Sequence, residues 1–282
     1  QVRRSEFDHE MLNNAREQGV NVHESVRVLE VLFEGDKAVG VRIKTEDGNE
    51  QEVRSKVVVD ASGQSSILLD RLGLREWDPV LKKAALWTYW KGAYRDTGRD
   101  EGATMVIQTE GKNGWFWYIP LHDDIISVGV VAGYDYLFQN RTKDLEALYF
   151  EEVSRAPGLK PRLENATRCD IFRAQKEYSY RATQAAGNGW ALVGDAFGFL
   201  DPLYSSGVLL ALSSGAMAAD SICEGIAKGD TSEKQLRKWE PGFTQGMERM
   251  RRLVCEFYDG FSFGRFVKRY PHLKGHLSLI HI

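Results

Sequence analysis

The chain has 282 residues, of which 43% are hydrophobic, 27% charged and 11% aromatic. Those fractions exclude a disordered or collagen-like chain, and the length suggests about two domains around sizeable cores. Thirty-seven basic against forty acidic residues leave a net charge of −3, which argues against nucleic acid as the main partner.

No apolar run approaches the roughly 18 residues that a bilayer crossing needs, so stable membrane insertion is not expected. Cys169, Cys223 and Cys255 are odd in number and far apart. They read as reduced, mostly buried thiols of a cytoplasmic protein, not as a disulfide frame or zinc site. The chain starts at Gln1 with no signal peptide to read, and 277–282 resemble a translated transposon sequencing adapter. The expectation is a gene fragment truncated at both ends, with 277–282 set aside as a scar.

In chain order, Ser5-Glu-Phe-Asp8 predicts a capping-box start. Phe7, Met11, Leu12 and Ala15 would form one apolar helical face ending near Gly19. Alternation over 20–33 predicts one or two strands, and Val39, Val41 and Ile43 another; Asp47-Gly48 then turns a hairpin into 51–54. Val57-Val58-Val59 ends on Asp60, the shape of a buried parallel strand whose C-terminal edge faces a ligand. Aromatic and β-branched residues over 84–131 predict an antiparallel sheet, rejoined by 168–180. A helix is expected over 142–154 and a short buried strand over 190–193. From Ser206 the chain reads as helical to 227, and again through much of 233–268. The fold class is mixed α/β. Residues 1–75 and 186–230 would make a partial, Rossmann-like dinucleotide-binding domain, and 76–185 an inserted antiparallel sheet. A helical region would follow over 231–276.

Three motifs carry chemistry. In Val59-Asp60-Ala61-Ser62-Gly63 a strand ends in a carboxylate and small residues, which lets backbone amides approach a phosphate or ribose. Taken alone, it reads better as a plain strand-to-helix turn. In the second motif a buried strand ends at Gly194-Asp195, and Pro202-Leu-Tyr-Ser205-Ser206-Gly207 opens a long small-residue helix. Asp195 could accept hydrogen bonds from sugar-like hydroxyls, and the helix start suits an anion or an electron-rich ring edge. The third, Trp115-Phe-Trp117-Tyr-Ile119-Pro120, alternates aromatics on a strand. Trp115 and Trp117 would face one side, Phe116 and Tyr118 the other. By itself this is more often a sheet packed on both faces than a binding wall.

Together these residues resemble the flavin-dependent halogenases, within the wider group of FAD-dependent aromatic hydroxylase-like oxidoreductases. Trp115-x-Trp117-x-Ile119-Pro120 matches that family's W-x-W-x-I-P signature, and Phe199-x-x-Pro202-x-x-Ser205-x-Gly207 its F-x-x-P-x-x-S-x-G. Gly194-Asp195 and 60–63 match flavin motifs of the wider group. Val2-x-Arg4-x-x-Phe7-Asp8 resembles the segment before the family's second flavin-binding strand. The resemblance covers 1–260 and implies a scheme: a separate flavin reductase supplies reduced FAD, oxygen gives a flavin hydroperoxide, and bound halide becomes the halogenating agent. It further implies cofactor contacts from Val28 (lining the adenine site), Asp60, Ala61, Gly63, Gly194, Asp195, Pro202, Ser206, Gly207 and Val208. Backbone N–H groups of Ser206 and Gly207 would also hold the halide. Trp115, Trp117, Ile119 and Pro120 would wall the substrate from the flavin. No metal is implied.

The departures are as specific. The Gly-rich dinucleotide loop G-x-G-x-x-G is absent. The family's catalytic Lys belongs upstream of Gln1, so no lysine here is nominated. Tyr204 stands where tryptophan-specific members carry a catalytic Glu, which points to phenol, pyrrole or carrier-bound aromatic substrates. Against the halogenase stand a halide-independent aromatic monooxygenase, a geranylgeranyl-reductase-like flavoprotein, and a non-catalytic binding module that keeps the fold. His122-Asp123-Asp124 reads as an exposed turn before it reads as a base, and His9 and His23 have no metal spacing. Over 243–276 seven Lys or Arg oppose three acids, a surplus of 7 − 3 = +4. That surplus could dock an acidic carrier, although a solvated helix face is the plainer reading.

Overall fold

The computed structural model describes residues 1–176, 178–260 and 268–271; the adapter-like 277–282 lie outside them. The chain divides into two units, 1–26 with 82–178, and 27–81 with the chain from 179 onward.

The first unit is built on an antiparallel sheet. Its strand order is Thr167–Arg168, Lys83–Lys91, Ile125–Gly133, Gly114–Pro120, Met105–Gln108, and Arg173–Lys176 also pairs with Lys83–Lys91. Period-two alternation sends Leu86, Trp90, Phe116, Tyr118, Val128 and Val130 to one face. There they bury against Leu148, Tyr149 and Val153 of the helix Leu145–Ser154. Burying side chains of this size contributes roughly 1.5–3 kcal/mol each. That helix begins three residues later than its periodicity suggests, because Asp144 caps it: its carboxylate accepts from the N–H of Glu146 at 3.0 Å and of Ala147 at 3.4 Å. Deep in this core Trp90 Nε1 donates to the Tyr149 hydroxyl at 3.1 Å. Wholly buried Glu152 is neutralised by Arg141 at 2.7 Å and Arg155 at 3.0 Å, as a buried charge requires.

The helix Arg4–Glu17 corrects one expectation. Arg3 is its N-cap, with no side-chain capping bond, so the Ser5 capping box does not form. None of its residues is buried; Arg3 instead pairs with Asp123 at 2.8 Å and Glu6 with His122 at 3.2 Å. His122-Asp123-Asp124 is indeed a turn, with φ +57° and +55° at the two aspartates, closed by Leu121 N–H to Ile125 O at 2.8 Å.

The second unit holds three small sheets. Arg27–Glu34, Lys37–Lys44 and Glu50–Arg54 form an antiparallel meander. Val58–Asp60 lies parallel to Trp190–Leu192, with Val58 opposite Trp190 and Asp60 opposite Leu192. Arg75–Trp77, Tyr180–Ala182 and Gly198–Phe199 make the third. The core gathers Val58, Leu68, Leu69, Tyr180, Trp190, Leu192 and Phe197 with Trp239, Phe243 and Met247; the last two come from the helix Glu240–Tyr258. Val59, expected inside, is 46% exposed, because in a strand paired on this register only Val58 and Asp60 turn toward the core.

The helix Gly207–Lys228 buries Ser214, Ala218, Ser221 and Gly225, a stripe of small residues one helical face wide. Its length and mean hydropathy of 1.2 meet the measure of a bilayer span by composition alone, although, as expected, it holds no continuous apolar run of that size. Alanines raise the mean while Ser and Gly interrupt any continuous apolar run. The cysteines are also corrected: Cys169 and Cys223 are exposed and Cys255 is partly exposed. Cys169 sits at a sheet edge, donating its N–H to Tyr89 O at 2.9 Å, and Cys223 lies outside the buried stripe of its helix.

Candidate functional site

In the second unit the polar motifs converge at the C-terminal end of the parallel strand pair. Val193 N–H donates to Asp60 O at 3.0 Å, which joins the two strand ends. Gly194 follows in the left-handed region at φ +58°, a conformation that favours glycine. A Cβ there would also lie 3.2 Å from that of Ala211 on the long helix. Its N–H donates to Ser214 Oγ at 2.8 Å, and that hydroxyl donates to Ala211 O at 3.0 Å. Asp195 comes next, and its carbonyl accepts the Tyr180 hydroxyl at 2.6 Å. Burial pushes the Tyr180 phenol up to about 12, against the pull of the Arg75 guanidinium 4.1 Å from its ring centre. Tyr180 is therefore a neutral donor across the physiological range.

Asp60 takes the part that its motif alone suggests, a strand-to-helix turn. Its carboxylate is buried and occupied: it accepts from Ser62 N–H at 3.0 Å, Ser62 Oγ at 2.5 Å, Ser66 Oγ at 2.8 Å and Leu68 N–H at 2.9 Å. Burial raises its pKa, but these hydrogen bonds outweigh that and hold it below the usual carboxylate value. With four donors already on it, this side chain organises the turn through Ala61 and Gly63 and the start of the helix Ile67–Arg71. Val28 pairs with Ile43 on the meander and is 38% exposed.

The segment that opens the long helix is strongly bent. Buried Asp201 accepts Leu203 N–H at 2.9 Å, Ser205 N–H closes a turn on Pro202 O at 3.0 Å, and Ser205 is left-handed at φ +51°. Ser206 O then accepts the first helical bond, from Leu210 N–H, at 2.9 Å. Gly207 lies against Phe199, where a Cβ would sit 3.3 Å from the ring; that contact explains the Phe199 and Gly207 positions of the signature. Ser206 makes no side-chain capping bond and the first turn carries no acid. The partial positive charge of the helix start is thus not neutralised from within, which fits a halide or the electron-rich edge of a flavin at Ser206, Gly207 and Val208.

Trp115, Trp117, Ile119 and Pro120 lie in the other unit, on the strand Gly114–Pro120. Trp115 is buried and Trp117 partly so. Trp117 stands opposite Gly129, as Trp87 does on the other flank. The three indoles form one cluster, with ring centres 6.2 Å apart for Trp87 and Trp117 and 6.4 Å for Trp115 and Trp117. A Cβ on Gly129 would lie 2.2 Å from Trp117 Cζ2, so the indole occupies the space a side chain would take. Trp117 Nε1 donates to Ser127 Oγ at 3.1 Å.

Several contributors had no place in the sequence reading. Gly129 could have been noticed as a glycine inside a β-branched run. Ser214 lies one helical face along from Gly207, a weak signal. Tyr180 and Tyr258, which donates to Asp201 Oδ2 at 3.0 Å, carry no local signal. Among the described residues no cluster of His, Cys, Asp and Glu has the form of a metal site.

Comparison with known proteins bears on all of this. The profile of the family described as tryptophan halogenase matches residues 1–261. A flavin-dependent halogenase of Armillaria mellea is 36% identical over 252 residues, covering 83% of this chain and 48% of the relative. A 1H-pyrrole-2-carbonyl-[peptidyl-carrier protein] brominase of Pseudoalteromonas luteoviolacea is 33% identical, covering 87% of this chain and 61% of the relative. The solved structure of the myxobacterial chondrochloren halogenase superposes with a TM-score of 0.85 at 34% identity, over 93% of this chain and 60% of that one. The chain spans about half the length of the first of these relatives.

Proposed function

The chain belongs to the tryptophan halogenase family, and from that membership we propose that the protein is a flavin-dependent halogenase. In this reading it uses reduced FAD, oxygen and halide to halogenate an electron-rich aromatic substrate. The observation that carries the reading is the helix start at Ser206 and Gly207. It lies at the end of a family signature, is uncapped by its own serine and is free of first-turn acids.

When bound, reduced FAD from a separate flavin reductase would supply the two electrons that bring oxygen to the peroxide level, and that oxygen is the oxidant that takes two electrons from the halide. The backbone N–H groups of Ser206 and Gly207 hold the halide, and the bent 202–205 turn fixes where those groups point. Asp195 serves the flavin side chain, its main chain braced by Tyr180 and its neighbour Gly194 by Ser214. Asp60 contributes by rigidity alone. By the family resemblance, Trp115 and Trp117 serve the substrate side and exclude water. The antiparallel-sheet unit is then the substrate-binding part and the second unit the flavin-binding part.

Tyr204, in place of an acid, and the kinship with a brominase whose name specifies a carrier-bound pyrrole support a phenol, a pyrrole or a carrier-bound ring over free tryptophan. Burial, with the charge of Asp201 behind it, pushes the Tyr204 phenol up to about 12, so it offers no base at neutral pH. We place the reaction in the cytoplasm, beside the reductase. The test is turnover of the complete gene product with flavin reductase, NADH, oxygen, bromide and a panel of phenols, pyrroles and indoles. Products with paired bromine isotope peaks are expected. Hydroxylated products that form equally without halide would make it a monooxygenase.

A further inference from the structure

We infer that Tyr258 and Asp201 form a positioning pair that sets the halide affinity of the helix start from the far end of the helix Glu240–Tyr258. The inference rests on the halogenase reading and adds to it a residue that lies outside both signatures.

Asp201 is 2% exposed. A carboxylate so buried is held only if both oxygens find donors. Oδ1 accepts Leu203 N–H at 2.9 Å, which pins the first half of the turn. Oδ2 accepts the Tyr258 hydroxyl at 3.0 Å from the last residue of a helix 57 positions later. The turn then closes through Ser205 N–H on Pro202 O, passes through left-handed Ser205, and delivers Ser206 into the helix. Two bonds on Asp201 and the closure of Ser205 on Pro202 thus fix the segment that leads from Tyr258's contact to Ser206 and Gly207.

The helix that carries Tyr258 is itself anchored. Arg251 forks onto Asp78, with Nη2 3.1 Å from Oδ1 and Nε on Oδ2. Burial raises the Asp78 pKa, but Arg251 and the N–H groups of Leu81 and Val80 hold its carboxyl below the usual value. Met247 Cε lies 3.2 Å from where a Cβ of Gly198 would stand, just before the turn. The Tyr204 hydroxyl reaches Leu253 O at 3.5 Å, so the same helix meets the turn at a second point. A left-handed serine that precedes the helix start persists only where its surroundings over-determine it. Asp201 and Tyr258 supply that determination. Removing the Tyr258 hydroxyl takes one donor from Asp201 Oδ2 and loosens the turn, which disperses the N–H directions without removing any group that touches halide or flavin.

The experiment compares the complete wild-type protein with Tyr258→Phe and Asp201→Asn, each loaded with FAD. Chloride binding is read from the broadening of the chloride NMR line, and in parallel the KM for bromide is separated from kcat. Loss of one hydrogen bond to a buried carboxylate predicts a roughly tenfold weaker halide affinity in Tyr258→Phe. Its kcat at saturating bromide and its KM for the aromatic substrate stay within about twofold of wild type. Asp201→Asn keeps an acceptor for Leu203 or for Tyr258 and falls between the two. Equal chloride broadening and equal bromide KM in wild type and Tyr258→Phe would overturn the pair while leaving the halogenase reading intact. A fall in kcat with halide affinity unchanged would overturn it too. If wild type neither broadens the chloride line nor halogenates, the underlying reading fails and the pair fails with it.

Discussion

The strand Gly114–Pro120 and the turn that runs from Phe199 to Gly207 each carry a family signature, yet they are held in place by different forces. The strand is laddered on both sides, to Met105–Gln108 and to Ile125–Gly133, and its tryptophans cluster at tilted angles, Trp117 against Trp87 over a glycine. The turn keeps only two ladder residues, Gly198 and Phe199. Beyond them it depends on Asp201, a left-handed Ser205, and side chains distant in sequence, among them Tyr258. Signature residues in the strand therefore report packing, and are sensitive to shape. Those in the turn report where backbone N–H groups are placed, which residues outside the signature decide.

The largest effect that would break this contrast is expected at Gly129. Gly129→Ala puts a carbon where the Trp117 ring lies and should cost about 3 kcal/mol or more in urea unfolding. Trp117→Ala combined with Gly129→Ala should recover part of that loss, a coupling that additive single effects would contradict. Asp60→Ala comes next. It strands Leu68 N–H and Ser66 Oγ, both buried, and should cost about 2–4 kcal/mol, with Asp60→Asn milder.

The same carboxylates predict a pH dependence in the second unit. Asp60 and Asp78 have folded-state pKa values below the ordinary 3.8. The stability they confer is complete above that unfolded-state value and is lost as pH falls through the depressed folded-state values. Unfolding midpoints of wild type should fall below about pH 4 more steeply than those of the doubly substituted Asp60→Asn, Asp78→Asn protein; parallel curves would contradict this. Trp117→Phe should have the smallest effect. It gives up the bond to Ser127 and part of the indole cluster, about 1 kcal/mol, and near-wild-type melting would confirm that shape matters more than polarity there.

Much of this was legible in the residues. A short apolar strand ending in Asp60 does lie parallel to the strand over 190–192, and alternation sorted Phe116 and Tyr118 from Trp115 and Trp117. The helix after Ser206 runs as its small-residue pattern implies. What could not be read has physical reasons. The fate of the Asp60 carboxylate is decided by Ser62, Ser66 and Leu68 folding back on it, a choice between cap and ligand that composition leaves open. Ser5 looked like a cap, yet the helix starts at Arg4, so its hydroxyl never meets the orphan N–H groups. The bond between Tyr258 and Asp201 joins a helix terminus to a turn through tertiary packing, with no periodicity to announce it. Cysteine burial followed a general tendency of the residue type, while the actual positions fell on a sheet edge and an outward helix face.

The most direct measurement is a bromide soak of crystals of the complete protein with FAD bound, read by anomalous scattering at the bromine edge. The account predicts a peak within hydrogen-bonding distance of the Ser206 and Gly207 amides, at the uncapped start of the long helix. A map with bromide elsewhere, or with no peak at that helix start under saturating bromide, would contradict it.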